Sequence, residues 1–123
     1  MTYRRILHRT WCDVASLAVL RRWLRSNVPS GVDSADAELV CTELVANAIE
    51  HGGGARAVRI TVDSGHVRFE VDDCDATAVP TLGTSRFGRY RGRGITVVDA
   101  LAAWGIAGAE RGKTVWARVE FAS

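Results

Sequence analysis

The sequence has little proline, few cysteines and no long hydrophobic segment. Two prolines and three cysteines occur in 123 residues, and Cys12, Cys41 and Cys74 form no CxxC spacing. An odd number of widely spaced cysteines favours reduced thiols over a disulfide framework or a zinc site. The apolar runs are far shorter than the roughly 20 residues that a membrane span needs. These absences argue against a disulfide-rich secreted domain and against a membrane-spanning protein.

An excess of charge of one sign is also lacking. Sixteen basic and fourteen acidic residues give a net charge of +2, which is too small to argue for a nucleic-acid partner. The first residues, "MTYRRILHRTW", have no apolar signal core, so we expect a cytoplasmic protein. One local exception is "SRFGRYRGRG" at 85–94, where four arginines and no acid make an anion-seeking patch.

Helical periodicity predicts three helices. Apolar residues recur at helical spacing in 14–25, and Asp33 or Ser34 is placed to cap a second helix that runs to about His51. Three consecutive glycines then end that helix. A third helix is predicted from near Gly94 through "ITVVDALAAW".

Alternation with a period of two predicts the strands. Residues 57–72 carry a strong β-hairpin signal, "KTVWARVEF" is a final strand, and the opening "TYRRILHR" is a further strand. Residues 73–92 lack any period and are predicted as a long loop.

The order of these elements, β-α-α-β-β-α-β, predicts the fold class. We expect one domain over residues 1–123, of the α+β class. It would be a two-layer sandwich with a mixed, mostly antiparallel sheet and about three helices on one face.

The second helix carries a polar pair, Glu43 and Asn47, one turn apart on the same side. A carboxylate and an amide oxygen presented together can hold Mg²⁺, and the carboxylate can polarise a water or hydroxyl. The competing interpretation is a half-buried helix with a solvated face.

Two further stretches carry possible binding chemistry. In "VDDCDATAVP", an acidic side chain at the end of a strand can accept a hydrogen bond from an amino group such as that of adenine. The competing interpretation is that this stretch is a solvated loop. In "GRYRGRGITVV", a glycine-rich turn before a helix can bring backbone N–H groups to phosphates. The pattern is neither a P-loop nor G-x-G-x-x-G, so a flexible loop is an equally good interpretation.

Taken together and in order, these stretches resemble the Bergerat-fold (GHKL) ATPase superfamily of DNA gyrase and the histidine kinases. They are most similar to the small anti-sigma-factor serine/threonine kinases and related actinobacterial single-domain ATP-binding regulators. "ELVANAIEHG" resembles the first box of that family, "EVDDCD" the second, "GRGITVVDALAAWG" the third and "GKTVWARVEF" the closing strand. The resemblance covers residues 11–121.

The resemblance implies ATP and Mg²⁺ as cofactors and a role for each matching residue. Glu43 would be the general base, Asn47 would bind Mg²⁺, and Asp73 would bind the adenine amino group. One departure concerns the second box, where the family has glycines and this chain has Asp75 and Thr77.

The remaining implied roles fall on the third box and the closing strand. Gly92, Arg93 and Gly94 would lie at the phosphates, and Thr114 would lie near the adenine-binding aspartate.

The resemblance therefore implies a regulatory protein kinase that phosphorylates or sequesters a transcription regulator. Its partners would be a sigma factor, an anti-sigma-factor antagonist protein or both, with a possible homodimer and no membrane, and the nearly neutral charge of the chain argues against a nucleic-acid partner. The alternative is a catalytically weak or inactive partner-binding module, in which nucleotide is a structural ligand or absent.

Overall fold

The computed structural model describes residues 3–75, 92–109 and 112–122, which form one sheet and three helices. In chain order the elements are β1 (Arg4–Cys12), α1 (Ser16–Asn27), α2 (Ala35–His51), β2 (Ala55–Asp63), β3 (His66–Asp72), α3 (Gly92–Leu101), β4 (Ala103–Ala109) and β5 (Gly112–Glu120). Within these ranges no helix combines the length and apolar character needed to cross a bilayer.

The sheet has five strands in the order β1-β2-β3-β5-β4. Every neighbouring pair is antiparallel. The predicted α+β sandwich of one sheet and three helices is confirmed. The predicted mixed character is not found in the described part of the sheet, because none of its pairings is parallel.

The core lies between the sheet and the helices, and the strand alternation builds it. Every second residue is buried from Val58 to Val62 and from Val67 to Val71, which leaves the intervening residues on the other face of the sheet. The largest fully buried side chains of the hairpin and of α1 and α2 are Val58, Ile60, Val62, Val67, Phe69, Val71, Leu20, Leu24, Val40, Leu44 and Val45.

Local signals in the sequence set the ends of α2 as predicted. At the start, Asp33 accepts a hydrogen bond from the N–H of Ala35 at 2.9 Å. At the end, the N–H groups of Gly52 and Gly54 both donate to the carbonyl of Ala48, at 3.0 and 2.9 Å. These two hydrogen bonds turn the chain sharply. Between them Gly53 has φ +76°, a left-handed conformation that favours glycine.

The third helix and the strand that follows it differ from the prediction. The helix begins at Gly92 and ends at Leu101, and "AWGIAGA" forms β4, so that Ala103 and Trp104 belong to a strand and not to the predicted helix. Small residues and glycines hide the strand pattern, and pairing with β5 creates the strand, with Ile106 opposite Val115. Of the predicted loop at 73–92, residues 76–91 lie outside the described part of the chain.

The three cysteines are free thiols, and two of them belong to the core. Cys12 and Cys41 are buried, whereas Cys74 is exposed. Burial raises the pKa of the Cys41 thiol to about 12, so this side chain remains protonated and acts as a small apolar residue.

The face of the sheet away from the helices carries a charged network centred on Arg59. Its guanidinium donates to Asp72 at 2.7 and 2.9 Å and to Glu70 at 2.8 Å. The hydroxyl of Thr114 donates to Asp72 at 2.7 Å. The hydrogen bonds from Arg59 hold the pKa values of Asp72 and Glu70 below their ordinary values.

This network predicts acid sensitivity. In the unfolded chain the two carboxyls titrate near pH ~4, so the folded protein binds fewer protons there. The stabilisation is present above that pH and is lost as the pH falls through the lowered pKa values. Asp72→Asn should reduce the free energy of unfolding by about 1 kcal/mol at pH 7 and should flatten its decrease between about pH 5 and pH 2.

Urea unfolding across this pH range measures both effects. Asp36→Asn, at an exposed carboxylate in the first turn of α2, is the control and should keep the slope of the unmodified protein. An Asp72→Asn protein with an unchanged slope would show that the network does not stabilise the fold.

Candidate functional site

A small pocket, with a cavity volume of about 30 Å³ and partly open to solvent, lies between α2 and the sheet. Six apolar side chains form most of its wall: Leu44 and Ala48 from α2, Val71 from β3, Trp104 and Ile106 from β4, and Val115 from β5. Four polar side chains share the same space, namely Asn47, His51, Asp73 and Lys113. Apolar walls with a few converging polar groups are typical of a site for a small organic ligand.

Asp73 follows the last residue of β3 and is 2% exposed. Its Oδ1 accepts hydrogen bonds from the N–H groups of Asp75 at 3.0 Å and Lys113 at 3.3 Å. Its own N–H donates to the carbonyl of Lys113 at 2.9 Å. The carboxylate is therefore held in a fixed orientation by the backbone on both sides of it.

The other carboxylate oxygen of Asp73 forms an ion pair with Lys113. Its Oδ2 lies 2.5 Å from Nζ of Lys113, and the two side chains are 3% and 7% exposed. A buried charge needs a partner, and removing one member of such a pair generally costs about 3–5 kcal/mol. The pair is therefore a structural requirement of this pocket as well as its strongest concentration of charge.

Two glycines allow Asp73 to occupy this position. A Cβ added to Gly52 would lie 2.5 Å from Oδ2 of Asp73, and one added to Gly112 would lie 2.0 Å from its carbonyl oxygen. The carbonyl of Gly52 also accepts a hydrogen bond from the N–H of Cys74 at 2.8 Å. The end of α2 and the start of β5 thus enclose the aspartate, which explains why the first and last motifs each contain a glycine.

Asn47 is the second predicted site residue that lines the pocket. Its Nδ2 is buried and has no hydrogen-bond partner among the described residues. Leaving a buried amide unpaired costs about 1–3 kcal/mol, so such a group often marks the place of a ligand. Glu43 lies one turn earlier on α2 and is half-buried, outside the residues that line the pocket.

The other predicted residues lie outside this group. The hydroxyl of Thr114 donates to Asp72 on the opposite face of the sheet, because successive strand residues point to opposite faces. The expected position of Thr114 near the adenine-binding aspartate stays a prediction. Gly92, Arg93 and Gly94 form the first turn of α3.

The sequence interpretation missed three residues that shape the pocket. Lys113 could have been found, because it continues the inward series of Val115, Ala117 and Val119 as a charged member. Trp104 was assigned to the end of a helix, and Ile106 to no element. Both line the pocket only because β4 is a strand.

Gly52→Ala tests how closely the pocket is packed. Gly52 has φ −107°, so alanine adds no backbone strain, but its methyl group would displace the Asp73 carboxylate from Lys113. The free energy of unfolding should fall by about 1–3 kcal/mol, as for overpacking in a core.

Gly108→Ala is the matched control, because a Cβ there meets no atom within 4 Å. Its effect should stay within about 0.5 kcal/mol. Urea denaturation compares the two variants, and equal stabilities would contradict the contact between Gly52 and Asp73.

Comparison with known proteins assigns this arrangement to a family. Residues 13–119 match the histidine kinase-like ATPase domain. A search of the curated proteins finds no match to this chain. Since the match covers most of the sequence, the chain belongs to the histidine kinase-like ATPase domain family.

Proposed function

We propose that this histidine kinase-like ATPase domain binds ATP with Mg²⁺ and acts as a regulatory serine/threonine protein kinase of the anti-sigma-factor type. The observation that carries the proposal is that Asn47 and Asp73, from two separate motifs, line one pocket with apolar walls. Family membership supports nucleotide binding by a domain of this kind.

The residues that line the pocket carry groups that suit the base. Apolar side chains from α2 and three strands can contact the faces of a purine ring, and Asp73 offers a carboxylate acceptor to an exocyclic amino group. The absence of a side chain at Gly52 leaves room for the carboxylate at this position. Asp73 would therefore bind the adenine amino group.

The phosphates and the metal would lie toward α3. Mg²⁺ is usually held by one or two protein oxygens together with phosphates and waters. Among the described residues there is no cluster of three or more His, Cys, Asp or Glu side chains suited to a metal. The amide oxygen of Asn47 would be the protein ligand, and Gly92, Arg93 and Gly94 would meet the phosphates at the start of α3.

Bound ATP would supply the transferable phosphoryl group. Phosphoryl transfer is catalysed mainly by positioning and charge neutralisation. Glu43, half-buried one turn from Asn47, would accept the proton of a serine or threonine hydroxyl on a partner protein. That partner would be an anti-sigma-factor antagonist, with a sigma factor as the second binding partner in the cytoplasm.

A second candidate is a module that sequesters a partner without needing nucleotide. The observation that favours it is the ion pair, because Oδ2 of Asp73 already has Lys113 as a partner within the protein. In addition, Asp75 places a carboxylate where the family has a glycine that allows close approach to the nucleotide.

Calorimetric titration with ATP and Mg²⁺ distinguishes the two candidates. The unmodified protein should bind saturably, and Asp73→Asn should weaken binding at least 10-fold by removing a charged acceptor. Asp72→Asn is the control, because it makes the same substitution one residue earlier on the opposite face of the sheet. It should leave the affinity unchanged.

The outcomes separate clearly. No binding at millimolar ATP would overturn the ATP-dependent function and favour the sequestering module. Equal weakening by both variants would mean that the adenine site is not at Asp73. Circular dichroism checks that each variant is folded.

Glu43→Gln tests the proposed chemistry separately from binding. It should abolish transfer of labelled phosphate from ATP to a candidate antagonist protein, while ATP affinity and partner binding survive. Glu50→Gln, at an exposed carboxylate on the same helix, is the control and should retain the transfer. Full activity of Glu43→Gln would exclude Glu43 as the general base.

A further inference from the structure

The ammonium group of Lys113 is a buried donor inside the pocket to which none of the motifs assigns a role. Both Lys113 and its partner Asp73 line the pocket, and both side chains are almost completely buried. A lysine needed only to neutralise the aspartate could have pointed away from the ligand space. Its presence in the wall gives the ligand a second charged group to contact.

The ion pair does not exhaust the hydrogen-bonding capacity of either side chain. A lysine ammonium has three N–H donors, and the ion pair recorded for Nζ of Lys113 among the described residues is with Asp73. On the aspartate, two backbone N–H groups bind Oδ1. Oδ2 forms the ion pair with Lys113, and its lone pairs can accept a hydrogen bond from a further donor. The pair therefore presents an acceptor and adjacent donors.

The surroundings of Nζ make these free donors significant. Most of the pocket wall is apolar, contributed by Leu44, Val71, Trp104, Ile106 and Val115 among others. An ammonium donor without a partner in such a setting is costly, so a ligand atom that accepts a hydrogen bond is favoured there.

We propose that Lys113 is a base-specificity residue, which donates a hydrogen bond to ring nitrogen N1 of adenine while Asp73 accepts one from the neighbouring 6-amino group. This inference rests on the proposed ATP binding and deepens it. Adenine presents an amino donor beside a ring-nitrogen acceptor, which matches the acceptor and donor of the ion pair.

The same arrangement discriminates against bases with a 6-oxo group. Guanine and hypoxanthine would place a carbonyl oxygen against the carboxylate of Asp73 and an N–H against the ammonium of Lys113. Both contacts pair like with like, and mismatched buried polar groups are the strongest source of rejection in a binding site. Lys113 therefore adds selectivity that an aspartate alone would supply only in part.

A matched pair of nucleotides tests the contact without any change to the protein. In 1-deaza-ATP a C–H group replaces N1, so the acceptor is lost while the 6-amino group remains. Calorimetry on the unmodified protein should show ATP binding about 10- to 100-fold more tightly than 1-deaza-ATP, as expected for a charge-assisted hydrogen bond. GTP should bind more weakly than ATP.

Lys113→Met locates the donor, because methionine has a similar length and no charge. This variant should bind ATP and 1-deaza-ATP with equal affinity. Thr114→Val changes the neighbouring residue, which contacts Asp72 on the other face, and should retain the full preference. Thermal unfolding checks that both variants are folded. If Lys113→Met does not fold, the comparison of ATP with 1-deaza-ATP on the unmodified protein still tests the contact.

The outcomes distinguish this inference from the proposed function. Failure of the unmodified protein to bind ATP overturns ATP binding and this contact together. Binding of ATP and 1-deaza-ATP with equal affinity overturns the role of Lys113 and leaves ATP binding intact. Tighter ATP binding by Lys113→Met also overturns it, because Lys113 would then be an obstacle to the nucleotide.

Discussion

The buried ion pair between Asp73 and Lys113 is the interaction on which the pocket depends. Two charges almost fully removed from water are tolerated only because each neutralises the other and because backbone N–H groups bind the remaining carboxylate oxygen. This requirement accounts for the glycines at 52 and 112, since a side chain at either position would displace Asp73. The need to neutralise these buried charges thus fixes the backbone at the end of α2, at the end of β3 and at the start of β5.

The two faces of the sheet divide the charged residues between structure and ligand. Asp72 and Asp73 are consecutive, yet the first joins Arg59 in the outer network and the second faces the pocket. The same division separates Thr114 from Lys113 on β5. Because a strand alternates its side chains strictly, the chain can place a stabilising network and a binding site back to back without either interfering with the other.

Much of this architecture follows from the sequence, and the exceptions have physical causes. The helices α1 and α2 and the hairpin carry clear periodicity and caps, so their prediction succeeds. The strand β4 was not predicted because "AWGIAGA" has weak strand propensity and depends on pairing with β5. Motif matching placed Asn47 and Asp73 in one pocket, but it chose Thr114 over Lys113, which the inward series of β5 would have favoured. Pairing between buried charges from distant segments has no signature in local sequence.

The hydrogen bonds around Asp73 join segments that are far apart in the chain. Gly52 closes α2, Cys74 follows β3, and Lys113 lies 40 residues beyond Asp73. Closing such long loops costs conformational entropy, and only the interactions of a nearly complete sheet offset that cost. A partly folded chain with only its helices and first hairpin would therefore contain no functional pocket. Any ligand of this pocket would stabilise the native state alone, and its binding would report that the whole sheet has assembled.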